Sequence, residues 1–365
     1  MTAAPDSKEI VMKALKLESW HSQPVLRDVP VPRPGPGEVL VQVGGAGACH
    51  SDLHLIHEFD EGALPWGPPF TLGHENAGWV HAMGPGVTGY EAGQPVAVVG
   101  AWGCGLCARC RAGLETYCDR PDLARVAGGG GGLGLDGGMA EYLLVPDQRH
   151  LVTLPEGLDP VHAAPLTDAG LTPYHAVRRS REKLVPGSTA VVIGVGGLGH
   201  LGVQILHATT AARVIAVESR DSARDLAERS GADLVLAPGP DLVAEVREAT
   251  HGLGADVVLD FVGSDETLRT AVACARMLAD ITIVGLGGGT LPVSFFSVPY
   301  EVSVQSTYWG NRSELVEVLD LAARGLLHAE IVRFGLHEAV TALEQLAIGA
   351  VDGRAVVVPH TEYRR

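Results

Sequence analysis

The sequence predicts an α/β protein, a mainly-β region followed by a doubly wound parallel sheet, and three observations carry that expectation. Residues 10–100 hold short Val-rich runs at 39–43, 77–82 and 95–99. Pro and Gly turn signals part them at close intervals, the pattern of a barrel or sandwich-like unit. From about residue 188, strand-length apolar runs alternate with helix-length segments, and strands buried on both faces between helices form a parallel sheet. The third observation is the turn Gly194-Val195-Gly196-Gly197-Leu198-Gly199, which joins the first of those strands to the first of those helices.

In chain order the second half reads as a strand at 190–193, a helix at 200–210, a strand at 214–217, a helix at 222–230, a strand at 257–260, a helix at 266–278 and a strand at 281–284. Two further helices are expected at 314–324 and 338–348, and a last strand at 355–358 returns to the β-rich region. Between the two regions, residues 119–138 contain five consecutive glycines from Gly128. The segment resists any regular element and reads as a mobile loop, with 128–134 matching no pattern.

A chain of 365 residues is long enough for about two domains with sizeable cores. Its 27 Lys and Arg against 43 Asp and Glu give a formal charge of −16. An acidic surface repels phosphate backbones and anionic lipids, so neither nucleic acid nor a membrane is an expected partner. The longest uncharged stretch, 184–212, is interrupted by Pro186, six glycines and two histidines, and reads as strand, turn and helix rather than a bilayer span. Asp6, Lys8 and Glu9 stand where the apolar run of a secretory signal would build, so the expected location is cytoplasmic.

Four of the six cysteines, Cys104, Cys107, Cys110 and Cys118, fall within fifteen residues. Without an export signal such a cluster reads first as metal-binding, and four thiolates close a tetrahedral Zn(II) site of the structural kind. An iron–sulfur or redox role uses similar spacing. Cys49 lies apart, followed at once by His50, Ser51, Asp52 and His54 and then by Gly73-His74-Glu75. One thiolate, one imidazole and nearby carboxylates suit a second Zn(II) with a position left open, the arrangement of a catalytic metal. Cys274, in an Ala-rich run, reads as core filler.

Gly194, Gly196 and Gly199 match G-x-G-x-x-G between a strand and a helix, and Glu218 ends the next strand nineteen positions later. Glycines admit close approach of backbone N–H groups to a pyrophosphate, and the helix N-terminus favours the anion. A carboxylate at Glu218 accepts from the adenosine ribose hydroxyls and repels a 2′-phosphate, which favours NAD over NADP. Arg220 pulls the other way.

Together these features resemble the zinc-dependent medium-chain alcohol dehydrogenases, and the resemblance runs from about residue 12 to 360. Gly73-His74-Glu75-Asn76-Ala77-Gly78, with Gly84 and Val87, is similar to that family's zinc signature. The stretch from Pro165 to Tyr174 and the triplet Tyr308-Trp309-Gly310 resemble the bacterial secondary-alcohol branch. The resemblance implies a GroES-like catalytic domain made from both ends of the chain, 1–165 and 309–365, with a Rossmann domain at 166–308 inserted and a structural zinc lobe at about 101–120.

By position the resemblance further implies that Cys49, His74 and Asp168 bind the catalytic zinc, Asp168 standing where many relatives have Cys. From spacing alone Asp168 reads as a helix cap. Glu75 becomes an alternate or outer ligand, and Asp52 orients His74. The implied reaction is reversible hydride transfer between nicotinamide and secondary alcohols or ketones, bulky and aromatic ones included. Ser51 takes the proton and His54 either relays it or lines the pocket. His50 is implied on the pyrophosphate, Thr172 and Leu198 (with Gly197 beside it) against the nicotinamide, and Trp66, Trp309 and Tyr308 as pocket walls. The implied cofactors are two Zn(II) per chain and NAD, the partner is a small-molecule alcohol or ketone, and the assembly is a homodimer or homotetramer. Reduction of another carbonyl class such as aldehydes, and a non-catalytic zinc- and nucleotide-binding role, stand as the alternatives.

Overall fold

The computed structural model describes residues 10–364, so Asp6, Lys8 and Glu9 lie outside the described residues. Six parallel strands make one sheet in the order Leu234–Leu236, Arg213–Val217, Thr189–Ile193, Ala255–Asp260, Ala275–Ile283 and Ser303–Ser306. The chain works outward from Thr189–Ile193 on one side and then on the other, which opens a crevice at the carboxyl ends of Thr189–Ile193 and Ala255–Asp260. The first strand is wholly buried because helices cover both faces of the sheet.

A second, larger sheet runs Leu151–Thr153, Pro95–Val98, Glu75–Met83, Val39–Ala48, Arg354–Val358 and Ile331–Gly335, with Tyr142–Val145 also paired to Val39–Ala48. The long central strand is buried over all ten residues. Arg354–Val358 returns from the far end of the chain and pairs antiparallel with Ala46–Ala48, as the sequence leads one to expect. A small sheet of Val25–Pro30, Val11–Leu17 and Phe70–Thr71 flanks it.

Two expectations are corrected. The helix read over 266–278 is a helix only at Asp265–Cys274, and Ala275–Ile283 is a strand. The residues Ala275 to Leu278 are good helix formers, but pairing on both sides, with Ala255–Asp260 and Ser303–Ser306, overrides that local preference. The glycine-rich segment is packed rather than a free loop. It forms short strands Gly130–Gly131 and Gly134–Leu135, Trp102 N–H donates to Gly129 O at 3.0 Å, and Gly138 N–H donates to Gly73 O at 2.9 Å. A Cβ on Gly130 would lie 1.9 Å from Gly100 O and one on Gly138 1.9 Å from Asn76 Oδ1, so only bare backbone fits there. Cys274 is fully buried in the sheet's core. The uncharged stretch resolves into Thr189–Ile193 and the helix Gly199–Thr209. Among the described residues no helix is long and apolar enough to cross a membrane.

Candidate active site

Strand Val39–Ala48 delivers Cys49 to the N-terminus of the helix His50–His57, and Cys49 N–H donates to Asp52 Oδ2 at 2.8 Å. His74 lies between Phe70–Thr71 and Glu75–Met83, and Asp168 follows the turn Ala164–Thr167. These elements converge. His74 Nδ1 is 3.5 Å from Asp52 Oδ1 and its Nε2 is 3.5 Å from Asp168 Oδ2, so Asp52 fixes the ring from behind while Nε2 faces the other donors. Asp168 does not cap the helix that follows, Leu171–Arg179, whose N-cap is Gly170: Thr172 donates its hydroxyl to Asp168 Oδ1 at 2.6 Å and leaves Oδ2 toward His74. Cys49, His74, Glu75 and Asp168 are all buried, each with a donor atom within 4.8 Å of the others.

The residues fit a cation. Glu75 Oε2 is buried without a partner while Oε1 accepts from Arg354 Nη2, and a Cβ on Gly47 would meet Oε2 at 1.9 Å, so glycine there makes room for the carboxylate. Burial opposes charge on His74, yet Asp52, Asp168 and Cys49 outweigh it and hold the ring's pKa well above the usual value, a measure of how strongly the pocket attracts positive charge. Burial raises Glu75 to about 7 against the pull of Arg354. Burial likewise opposes ionisation of Asp168, but His74, Thr172 and Arg354 keep it below the ordinary carboxylate range.

The second metal candidate is the four-cysteine lobe. Its Sγ atoms also lie within 4.8 Å of one another, none forms a disulfide, and Cys104–Cys110 and Cys107–Cys118 are 3.9 and 4.0 Å apart. Backbone N–H groups of Leu106 and Cys107 point at Cys104 Sγ, that of Cys110 at Cys107 Sγ and that of Arg120 at Cys118 Sγ, all at 3.4 to 3.5 Å. Donors aimed at sulfur stabilise thiolates, and the N–H of Cys110 is the largest cause lowering Cys107 to about 6.

The glycine turn sits at the crevice of the parallel sheet. Gly194 has φ +84°, and a Cβ on Gly199 would lie 1.9 Å from Gly194 O, whereas a Cβ on Gly196 would meet nothing within 4 Å: that position faces open space. Glu218, at the end of the adjacent strand, accepts from Val195 N–H at 2.8 Å and from Arg220 N–H at 3.0 Å. The Arg220 side chain reaches Gly349 O at 3.0 Å and Asp352 at 3.5 Å. His50 stands near Arg354 and Arg220; desolvation of its covered side and then their charges lower its pKa. Leu198 is half-buried, immediately before the helix Gly199–Thr209.

The model of the alcohol dehydrogenase GroES-like domain matches residues 35–156, and that of the zinc-binding dehydrogenase matches residues 197–324. An NAD-dependent alcohol dehydrogenase of Sulfurisphaera tokodaii is 36% identical over 359 residues, 95% of this chain and 100% of that protein. The chain belongs to the zinc-dependent medium-chain alcohol dehydrogenase family. It is accordingly an oxidoreductase that uses zinc and a nicotinamide dinucleotide, which sets aside the non-catalytic reading. Among solved structures, the alcohol dehydrogenase of Aeropyrum pernix is similar with a TM-score of 0.87 and 38% identity, covering 95% of this chain and 100% of its own. An acetophenone reductase from Geotrichum candidum in complex with NAD follows with a TM-score of 0.82 and 31% identity, covering 98% of each chain.

In this dehydrogenase Trp309 stands beside the cluster of candidate ligands, its ring 6.1 Å from that of His74, and Tyr308 lies 5.4 Å from Trp309. Trp66 packs in an aromatic group with Trp20 at 6.4 Å and Phe70, edge-on, at 5.7 Å. Ser51 Oγ is 3.6 Å from Cys49 Sγ, and His54 Nδ1 is held 2.7 Å from Glu58 one turn along its helix. Sequence reasoning missed Arg354. The guanidinium is fully buried between Glu75 and the glycine turn, where a Cβ on Gly197 would come within 2.6 Å of Arg354 Nη1. A lone Arg opening an otherwise apolar strand, Arg354–Val358, is the signal that marks it.

Proposed function

We propose that this dehydrogenase interconverts secondary alcohols and ketones, aryl-substituted ones included, by hydride exchange with NAD at a zinc site formed by Cys49, His74 and Asp168. One observation carries the reading: the donor atoms of those three residues and Glu75 lie within 4.8 Å of one another, buried beside Trp309. When bound, zinc supplies the Lewis acidity that makes an alcohol proton labile near neutral pH, and the nicotinamide accepts the hydride.

The chain's own residues do the rest. Asp52 keeps His74 oriented, and Thr172 keeps Asp168 turned toward it. Ser51, beside Cys49, takes the alcohol proton, and His54 passes it toward solvent with Glu58 as its partner. Glu218 receives the adenosine ribose and selects NAD over NADP, while the glycine turn with His50 and Arg354 faces the pyrophosphate. Trp309 and Tyr308 wall the substrate side and suit flat or bulky substituents. The four cysteines hold the second zinc.

The reading is tested by Cys49→Ala. Reduced nicotinamide formed from 1-phenylethanol and NAD should fall by about a thousandfold or more while the thermal unfolding curve stays in place. Turnover that survives would exclude the zinc site as assigned. We further propose a cytoplasmic homodimer or homotetramer. Met277, Leu278, Phe295, Phe296 and Tyr300 are all more than half exposed near the edge strand Ser303–Ser306, an apolar margin that a second copy would cover. Sedimentation as a monomer would contradict that assembly.

A further inference from the structure

The four-cysteine lobe touches the pocket wall. Between the edge strand Ser303–Ser306 and the helix Arg312–Ala323, Trp309 has φ +49°, a left-handed backbone that a bulky aromatic residue adopts only when its surroundings impose it. The surroundings here are two hydrogen bonds from the lobe. Thr116 donates its hydroxyl to Gly310 O at 2.7 Å, and Tyr117 donates to Tyr308 O at 3.2 Å. The carbonyl groups of the two residues flanking Trp309, Tyr308 and Gly310, are therefore both anchored by residues immediately before Cys118.

Tyr117 is itself fixed. Its oxygen lies 3.0 Å from His175 Nε2, and His175 Nδ1 is 3.0 Å from the Glu314 carboxylate, which also caps Asn311 N–H at 2.8 Å. The held indole is seated over Gly100, where a Cβ would meet its Cζ2 at 2.6 Å, and its ring centre lies 6.1 Å from that of His74. Any slack in residues 308–310 moves the indole relative to the reacting centre.

We infer that the turn Glu115–Tyr117 of the four-cysteine lobe is a positioning element for the substrate pocket, and that Thr116 and Tyr117 set selectivity for bulky secondary alcohols by locking Trp309 in its strained conformation. The inference rests on the reading of Trp309 as a pocket wall. It gives the closed metal site a role beyond folding, because its last ligand, Cys118, directly follows the residues that hold the wall.

The test compares 1-phenylethanol with 2-propanol in Thr116→Val, Tyr117→Phe, Thr116→Ser and Trp309→Ala. Thr116→Val keeps the shape and removes the donor. It and Tyr117→Phe should raise KM for 1-phenylethanol about tenfold, leaving its kcat and the 2-propanol constants within about twofold. Thr116→Ser, which restores the hydroxyl, should behave as the parent, and melting curves should show every variant folded. If Trp309→Ala changes the ratio of the two substrates but Thr116→Val and Tyr117→Phe do not, the positioning role is refuted and the pocket reading stands. If Trp309→Ala leaves the ratio unchanged, the pocket reading itself fails, and the inference with it.

Discussion

Acidification should destabilise the fold through His200, in the first turn of the helix that follows the glycine turn. Its ring is fully buried, Nδ1 lies 2.9 Å from Gly196 O and Nε2 accepts from Glu330 N–H at 3.3 Å. A neutral imidazole with its proton on Nδ1 satisfies both partners, whereas a second proton on Nε2 would face another N–H. Burial accordingly lowers its pKa from 6.5 to about 4. The unfolded chain takes up this proton first as pH falls, so the stabilisation is whole above about 6.5 and is lost on the way down to about 4. Between about pH 7 and pH 5 the loss comes to about 2 kcal/mol, or about 3 °C of melting temperature for a chain of this length. Thermal unfolding of the parent and of His200→Gln, each at both pH values, isolates the effect. The parent should drop by about 3 °C more than the variant over that interval. Equal drops would refute the buried-neutral assignment.

Other consequences are read more simply. Arg354→Met leaves Glu75 buried and unpaired, and should cost about 3–5 kcal/mol in thermal or urea unfolding; an unchanged midpoint would contradict the pairing. Glu218→Ala should narrow the ratio of kcat/KM for NAD over NADP by about tenfold, and an unaltered ratio would remove Glu218 from cofactor choice. Cys107→Ala opens the closed four-thiolate site, so metal analysis should find about one zinc per chain instead of about two, with a lower melting temperature. Full zinc content would argue against that site.

What was legible in the sequence is what short spacing encodes. The four cysteines lie within one lobe and the glycine turn within six residues, so their chemistry stands in the order of the letters. Cys49 and His74 are 25 positions apart, but Cys49 directly follows one of two paired strands, Val39–Ala48, and His74 directly precedes the other, Glu75–Met83, each within a recognisable run of residues. Asp168 was different. Spacing alone reads it as a cap, only the family resemblance puts it among the candidate ligands, and the fold sets it beside His74 and Thr172. The partners of Arg354 and of Thr116 are 279 and 194 positions away, and no local pattern reports such pairs before the chain is folded. The strand Ala275–Ile283 was hidden because its first residues favour a helix and only its two neighbouring strands decide otherwise. The glycine-rich segment reads as a mobile loop because its own residues carry no side chains to form a pattern, and its order comes from close approach to distant groups, Gly130 on the Gly100 backbone and Gly138 on the Asn76 side chain.

The central claim is zinc-assisted hydride transfer at Cys49, His74 and Asp168. Its most direct test follows near-ultraviolet absorbance of reduced nicotinamide with 1-phenylethanol and NAD, before and after prolonged chelation and again after zinc is restored. The account predicts turnover that chelation abolishes and zinc recovers. Undiminished turnover in protein shown by metal analysis to be free of zinc would contradict it.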